Sequence, residues 1–206
     1  MRLGSIALVV TVAALGFAGA GCGAPTDPTP NRMPVGSADY PLGPYGYSAG
    51  TTIANLKLVG KQSPSPTDYS MLPMKELSLG DLRKDAKLII LDGAARWCTP
   101  CNRDQPTMKQ IEADYAARGV TTVEVLVEGG YGVAATEIDI SRWSSLYQLA
   151  GTITIDPDYV LSRYADVTAF PVYMVVRAST MKIEYMQVGS LAVSPLEPVL
   201  DGLLAQ

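Results

Sequence analysis

Histidine is absent from all 206 residues. That removes His-based acid–base catalysis, Cys–His and Ser–His–Asp nucleophiles, and the common His-containing zinc sites. Cysteine is scarce, with Cys22, Cys98 and Cys101 as the whole set. A closed four-thiolate zinc site would need a second subunit, so no metal is expected. Charge is sparse too: 16 basic and 20 acidic side chains leave a net −4, and no Lys/Arg run interrupts the chain. Without a basic footprint, nucleic acid is not an expected partner. The 48% of apolar residues suffice for one ordinary core, and no internal repeat divides them.

What is present begins with a leader. Arg2 precedes an apolar run from Leu3 to Phe17, then the small residues Ala18-Gly19-Ala20-Gly21, then Cys22. A charged start, a hydrophobic stretch and a small-residue cleavage zone read as a secretory signal, and the run is short of the about 20 residues of a membrane span. Gly19-Ala20-Gly21-Cys22 resembles a bacterial lipobox, with Gly19 where an aliphatic residue is usual. Ordinary small-x-small cleavage would instead leave Cys22 as a free thiol. The lipoprotein reading is preferred, because an unpaired exposed thiol is a liability in an oxidising compartment. Residues 1–21 are thus assigned as signal peptide and 22–50 as a lipid-anchored tether rich in Pro, Gly, Ser and Thr, too poor in apolar side chains to offset its ordering entropy. Tyr40, Tyr45 and Tyr47 are candidates to dock on the folded domain, which takes residues 51–206.

Within that domain, Ile53–Gly60 alternates and stops at glycine, and Leu77–Leu82 suggests a second short strand entering a turn. Lys87–Asp92 is a β-rich apolar run suited to a strand buried on both faces. Met108, Ile111 and Tyr115 then fall at helical spacing, with Gly119 as the stop. Val120–Glu128 is the next apolar strand, followed by the loop Gly129–Gly132. A helix within 134–150, a short strand Thr152–Ile155, a short helix Asp158–Tyr164, a hairpin of Val172–Val176 with Ile183–Val188, and a last helix from about Ser194 complete the order, with Pro195 suited to an early helical position. Strands alternating with helices imply a parallel core sheet with an antiparallel edge, an α/β sandwich.

Chemistry concentrates in Trp97-Cys98-Thr99-Pro100-Cys101. Disulfide exchange needs one thiolate to attack and a second thiol near enough to resolve the mixed disulfide. At a strand-to-helix junction the first cysteine meets unpaired backbone N–H groups and the positive end of the helix dipole, which stabilise a thiolate. Pro100, in the first helical turn, costs no helical hydrogen bond. Cys98 is therefore assigned as the exposed nucleophile and Cys101 as the buried resolver. A structural disulfide is the alternative, but one closing so small a loop stabilises little.

The segment Leu88-Ile-Ile-Leu-Asp-Gly-Ala-Ala-Arg-Trp-Cys-Thr-Pro-Cys-Asn-Arg-Asp-Gln-Pro106 resembles the active-site segment of the thioredoxin superfamily, above all its exported redoxin/TlpA-like thiol–disulfide oxidoreductases. The likeness extends to Pro106, placed like the kink proline of the active-site helix, to Tyr164–Val176, which looks like the segment carrying the family's cis-proline at Pro171, and to the lead-in Gly50–Leu82. The resemblance implies a thioredoxin-like three-layer sandwich with a central mixed sheet and an N-terminal strand-pair extension. It implies that the backbone of Phe170 beside Pro171 presents edge groups to an extended substrate, that Trp97 shields the dithiol, and that Pro100 borders the same substrate surface. Asp92, six residues before Cys98, matches the buried acid of thioredoxin. Asp104 lies where TlpA-like relatives often carry a glutamate, on what is read as a helix surface. Burial raises a carboxyl pKa, so Asp92 is the expected base for Cys101. Asp92-Gly-Ala-Ala and Phe170 depart from the usual family residues at the substrate groove.

The implied function is exchange or reduction of disulfides in exported proteins. The redox-active Cys98–Cys101 disulfide is the only cofactor, and an upstream membrane electron donor resets it. A monomer held to the cell envelope by its lipid and facing the periplasm is expected, with a soluble periplasmic or secreted form as the alternative. Rival functions are a thiol-dependent peroxidase, disfavoured because Cys98 itself occupies the position of the usual Thr/Ser, and a copper metallochaperone, weakened by the missing histidine.

Overall fold

In the computed structural model, which describes residues 39–161 and 169–206, apolar β-branched runs set the sheet and 3.6-residue periodicity sets the helices. The elements in order are strand β1 (Lys57–Ser63), β2 (Lys75–Ser78), helix α1 (Leu79–Leu82), β3 (Leu88–Ala95), α2 (Thr99–Tyr115), β4 (Val120–Gly130), β5 (Val133–Ala134), α3 (Glu137–Tyr147), β6 (Gly151–Ile155), β7 (Val172–Arg177), β8 (Lys182–Val188) and α4 (Glu197–Leu204). The sheet runs β2-β1-β6-β4-β3-β7-β8, with β5 paired to the end of β4. Strands β6, β4 and β3 are parallel, and an antiparallel pair flanks them on each side: β1/β2 beyond β6, and β7/β8 beyond β3. This is the mixed thioredoxin-like sheet expected from the sequence, with the strand pair of the extension at one edge.

Alternation along the strands sorts side chains into two buried layers. Leu88 and Ile90 of β3, with Tyr173 and Val175 of β7, pack under Met108, Ile111 and Tyr115 of α2, Leu200 of α4 and the N-cap Leu196 of that helix. Ile89 and Leu91 face the other way, onto Tyr40, Ile53, Leu56, Leu79 and Leu82. A third cluster at the strand ends joins Ala94, Ala95, Cys98, Cys101 and Leu126 to Ile140 and Trp143 of α3.

Several boundaries differ from the sequence expectation. Residues 39–50, assigned to the tether, are docked: Tyr40 is buried and donates to the Ile53 carbonyl at 3.0 Å. A tyrosine ring recovers enough apolar contact to order a Pro/Gly-rich segment once its hydroxyl finds an acceptor. The signal peptide, Cys22, the first part of the tether and residues 162–164 of the expected Asp158–Tyr164 helix lie outside the described residues. Strand β3 runs on to Ala95. The loop Gly129–Gly132 is the tip of a β4/β5 hairpin. The last helix starts at Glu197, with Pro198 rather than Pro195 in its first turn.

Strand β1 does not stop at Gly60 but passes through it to Ser63. A Cβ there would sit 2.3 Å from the Ile153 carbonyl oxygen and 2.6 Å from Thr154 Cα, so glycine lets β1 close on β6. Gly60→Ala is expected to part this pairing and lower stability by about 2 kcal/mol or more, read as a fall in urea midpoint. An unchanged midpoint would show that the two strands tolerate the separation.

Candidate active site

Strand β3 ends at Ala95, and the turn Arg96-Trp97 carries the chain to the start of α2, where Cys98 is the N-cap. Cys98 N–H donates to the Ala95 carbonyl at 3.0 Å and Arg96 N–H to the Glu128 carbonyl at 2.9 Å, pinning the turn to the end of β4. Cys98 and Cys101 are joined by a disulfide, with Cα atoms 5.3 Å apart. The Cys101 backbone N–H points at Cys98 Sγ, 3.1 Å away. A donor in that position, at the positive end of a 17-residue helix, stabilises negative charge on the sulfur.

Cys98 was expected to be exposed, yet in this disulfide form it is only 3% accessible, against 0% for Cys101. The sulfurs turn into the cluster of Ala95, Ala135, Ile140 and Trp143. What reaches solvent is the rim: Trp97, Thr99 and Pro100 are exposed, and Phe170 is half-buried against the same cluster. The Phe170–Pro171 peptide is cis, and the Pro171 carbonyl accepts from Gly189 N–H at 2.8 Å. Trp97 is turned outward: its indole N–H donates to Glu128 Oε2 at 2.6 Å and its ring meets Tyr131 edge-on.

Sequence reasoning missed the residues that brace this loop. Asn102 Nδ2 donates to the carbonyls of Arg96 (3.0 Å) and Cys98 (2.6 Å), and its Oδ1 accepts from the Tyr147 hydroxyl. Arg96 pairs with Asp139 of α3, whose carboxylate also accepts from the backbone and hydroxyl of Thr136. Helix α3 therefore holds the cysteine loop from outside. An Asn directly after the second cysteine was the available signal.

Two acids are placed differently from expectation. Asp104 is not on the helix surface. It is 2% accessible and accepts from the Tyr173 hydroxyl (3.1 Å), the Ser190 hydroxyl (2.6 Å) and Leu191 N–H (2.7 Å). Helix α2 turns that position toward β7, so Asp104 latches the segment after β8 to the sheet. Asp92 is buried, as expected, and beside it lies Glu124, its register partner on β4. Gln105 Nε2 reaches Asp92 Oδ2 at 3.2 Å and Glu124 Oε2 at 3.4 Å, and Trp143 Nε1 donates to Glu124 Oε2 at 3.2 Å. Asp92 Oδ1 and Gln105 Oε1 are buried without a hydrogen-bond partner among the described residues. Glu124 was legible as a lone charge inside the apolar run Val120–Val127, and sequence reasoning passed over it.

Burial pushes Asp92 up to about 7, against hydrogen bonds from Glu124 and Gln105 that lower it, while Asp104 adds a raising charge. Burial, then the charge of Asp92, drives Glu124 well above the ordinary carboxyl range. A carboxyl whose folded pKa exceeds its unfolded value binds its proton more tightly in the fold. Its stabilising effect is then complete below the unfolded value of 3.8 and is lost as pH rises to about 7. Asp92→Asn is expected to flatten this part of the pH dependence, so that the variant gains on the parent protein as pH rises through that window, measured by urea unfolding. Parallel curves would show that burying Asp92 costs nothing.

No protein-family model matches the chain. It is 24% identical over 160 residues to the thiol-disulfide oxidoreductase ResA of Oceanobacillus iheyensis, covering 78% of this chain and 75% of that one. Among solved structures it is similar to the thioredoxin domain of a thiol-disulfide oxidoreductase from Bacteroides vulgatus (TM-score 0.59, 14% identity, 76% of this chain and 98% of that one). It is also similar to the pneumococcal exposed lipoprotein thioredoxin Etrx1 of Streptococcus pneumoniae (TM-score 0.54, 19% identity, 74% and 100%). With a mixed sheet of this order and a cysteine pair capping the helix after its central strand, the chain has a thioredoxin-like fold and is similar in sequence to a thiol–disulfide oxidoreductase.

Proposed function

We propose that the protein exchanges or reduces disulfides of exported proteins, with Cys98 as attacking thiolate and Cys101 as resolving thiol. The observation that carries these roles is the Cys101 N–H aimed at Cys98 Sγ at the helix N-terminus, a donor available to the first sulfur only. In the reducing direction, Cys98 S⁻ attacks a client disulfide, forming a mixed disulfide and expelling one client thiolate. Cys101 then passes its proton to a base, attacks Cys98 Sγ, and expels the second client thiolate as the intramolecular disulfide closes. An upstream membrane dithiol donor reverses the last step to reset the site.

Asp92 is the base in this reading. It is the buried acid whose Oδ1 has no donor, whereas three donors occupy Asp104. The client lies along the rim of Trp97, Pro100, Phe170 and Pro171, which borders the disulfide and, Pro171 apart, reaches solvent. Export and anchoring through Cys22 rest on the leader and lipobox-like residues, and one structural neighbour is described as an exposed lipoprotein. Among the described residues no helix is long and apolar enough to cross a membrane.

Cys101→Ser is expected to accumulate mixed disulfides between Cys98 and exported proteins in cells, recovered on non-reducing gels. Asp92→Asn in the otherwise native chain should slow release of such adducts by up to about 10²–10⁴-fold, and Asp104→Asn should slow it less. If no adducts form while Cys98 still alkylates faster than Cys101, exchange with exported proteins is ruled out. Intact mass of the membrane fraction should show a chain starting at a lipid-bearing Cys22. A mature chain starting at Gly21 without added lipid would make the protein soluble outside the cytoplasm.

A further inference from the structure

The buried pair formed by Asp92 and Glu124 has a requirement that the mechanism above leaves unmet. Their Cα positions are direct register partners on parallel strands, which places both side chains on one face with the strands about 4.8 Å apart. One amide nitrogen, Gln105 Nε2, is within reach of both carboxyl groups. The groups around the pair on the neighbouring elements are Asp104, Gln105 and Glu112 of α2, Trp143 of α3, Tyr173 of β7 and Tyr69 after β1. None of them is a cation, and the buried Lys61 of β1, in the same sheet row one strand beyond Ile153, is taken up by the Tyr69 carbonyl at 2.7 Å and Glu137 at 2.6 Å. Two carboxylates this close, both buried and with no cation paired to either among the described residues, cannot both be ionised, so the pair holds at least one proton.

Glu124 carries it: burial and then the charge of Asp92 drive its carboxyl well above the ordinary range, while a hydrogen bond from Glu124 lowers Asp92. Both outside donors, Gln105 and Trp143, converge on Glu124 Oε2. In the neutral acid that oxygen is the carbonyl oxygen, and Oε1 is left to bear the proton. Asp92 has one oxygen served by Gln105 and the other, Oδ1, with no donor among the described residues.

We propose that Glu124 is a positioning residue of the redox reaction: it keeps one proton, donates it to Asp92, and so maintains Asp92 as the ionised member that receives the proton of Cys101. The inference rests on Asp92 being the base. In the resolving step the proton leaves Cys101 Sγ for Asp92, making both carboxyls neutral. The Cys101 thiolate forms its bond to Cys98 Sγ, the Cys98–client bond breaks, and its electron pair leaves on the client sulfur. The Asp92 proton then passes to that thiolate or to solvent, and the pair returns to a single charge. Without a donor from Glu124, Asp92 would stay protonated to higher pH and be a poor acceptor near neutrality.

The test uses the full chain and a mixed disulfide between Cys98 and a small dithiol peptide, with the rate of release followed against pH. Glu124→Leu is expected to move the rise in rate up by about one pH unit, slowing release about tenfold near neutral pH. Glu124→Gln, which keeps a donor toward Asp92, should recover most of that loss. Infrared spectra of the oxidised protein give an activity-free reading. The parent protein should show a protonated-carboxyl band persisting at mildly alkaline pH, and Glu124→Gln should lack it. A Glu124→Leu profile that superposes on the parent's while Asp92→Asn is slow overturns the role of Glu124 and leaves Asp92 as base. A band that survives in Glu124→Gln places the proton elsewhere and also overturns it. If Asp92→Asn releases at the parent rate, the base assignment itself falls, and this inference falls with it.

Discussion

Strand β3 is covered on both faces along its whole length, all eight residues being buried, and the position of everything chemical follows from that constraint. A strand so enclosed must be built of Leu, Ile and Ala wherever it meets the core. It must also deliver its C-terminal end to the rim of the sheet, where the turn to α2 leaves backbone donors unpaired. Cys98 sits at that junction and Cys101 one turn further into the core. The one charged residue that β3 carries is thereby forced into the same dry layer as the disulfide. Asp92 has a raised pKa because the strand has nowhere wet to put it.

The interior of this protein treats its acids in two distinct ways. Asp104 is surrounded by donors from β7 and from the segment after β8, so its burial ties the C-terminal part of the chain to the active-site helix. Asp92 and Glu124 share too few donors between them, and an oxygen of Asp92 is left without one. Fully satisfied buried carboxylates rigidify, while a buried pair with too few donors holds a proton between its members. Helix α2 touches both kinds from adjacent positions, because Asp104 and Gln105 point to different neighbours.

Outside the sheet, two layers of support converge on the cysteine loop. Helix α3 reaches it through Arg96–Asp139 and Tyr147–Asn102, and the β4/β5 hairpin reaches it through Glu128, which holds the Trp97 indole and the Gly132 N–H. The far face of the sheet is closed by residues 40–56 and α1. That covering frees the face with α2, α3 and α4 to carry the polar groups, since the core no longer depends on it alone.

Local signals sufficed for much of this. The order of elements, the buried central strand, the two cysteines at a helix start and the burial of Asp92 all come from periodicity, composition and spacing within short windows, together with a family likeness spread along the chain. Tertiary structure alone decided which way Asp104 faces, because a helix position points outward or inward according to what packs on it. The same holds for the pairing of Asp92 with Glu124, 32 positions apart in the chain and adjacent only through strand register. It also decided that β1 passes through Gly60 and which of the candidate tyrosines docks, Tyr40 being buried and Tyr47 exposed. Contacts between residues distant in sequence leave no local pattern, and a carboxyl's proton affinity depends on exactly those contacts.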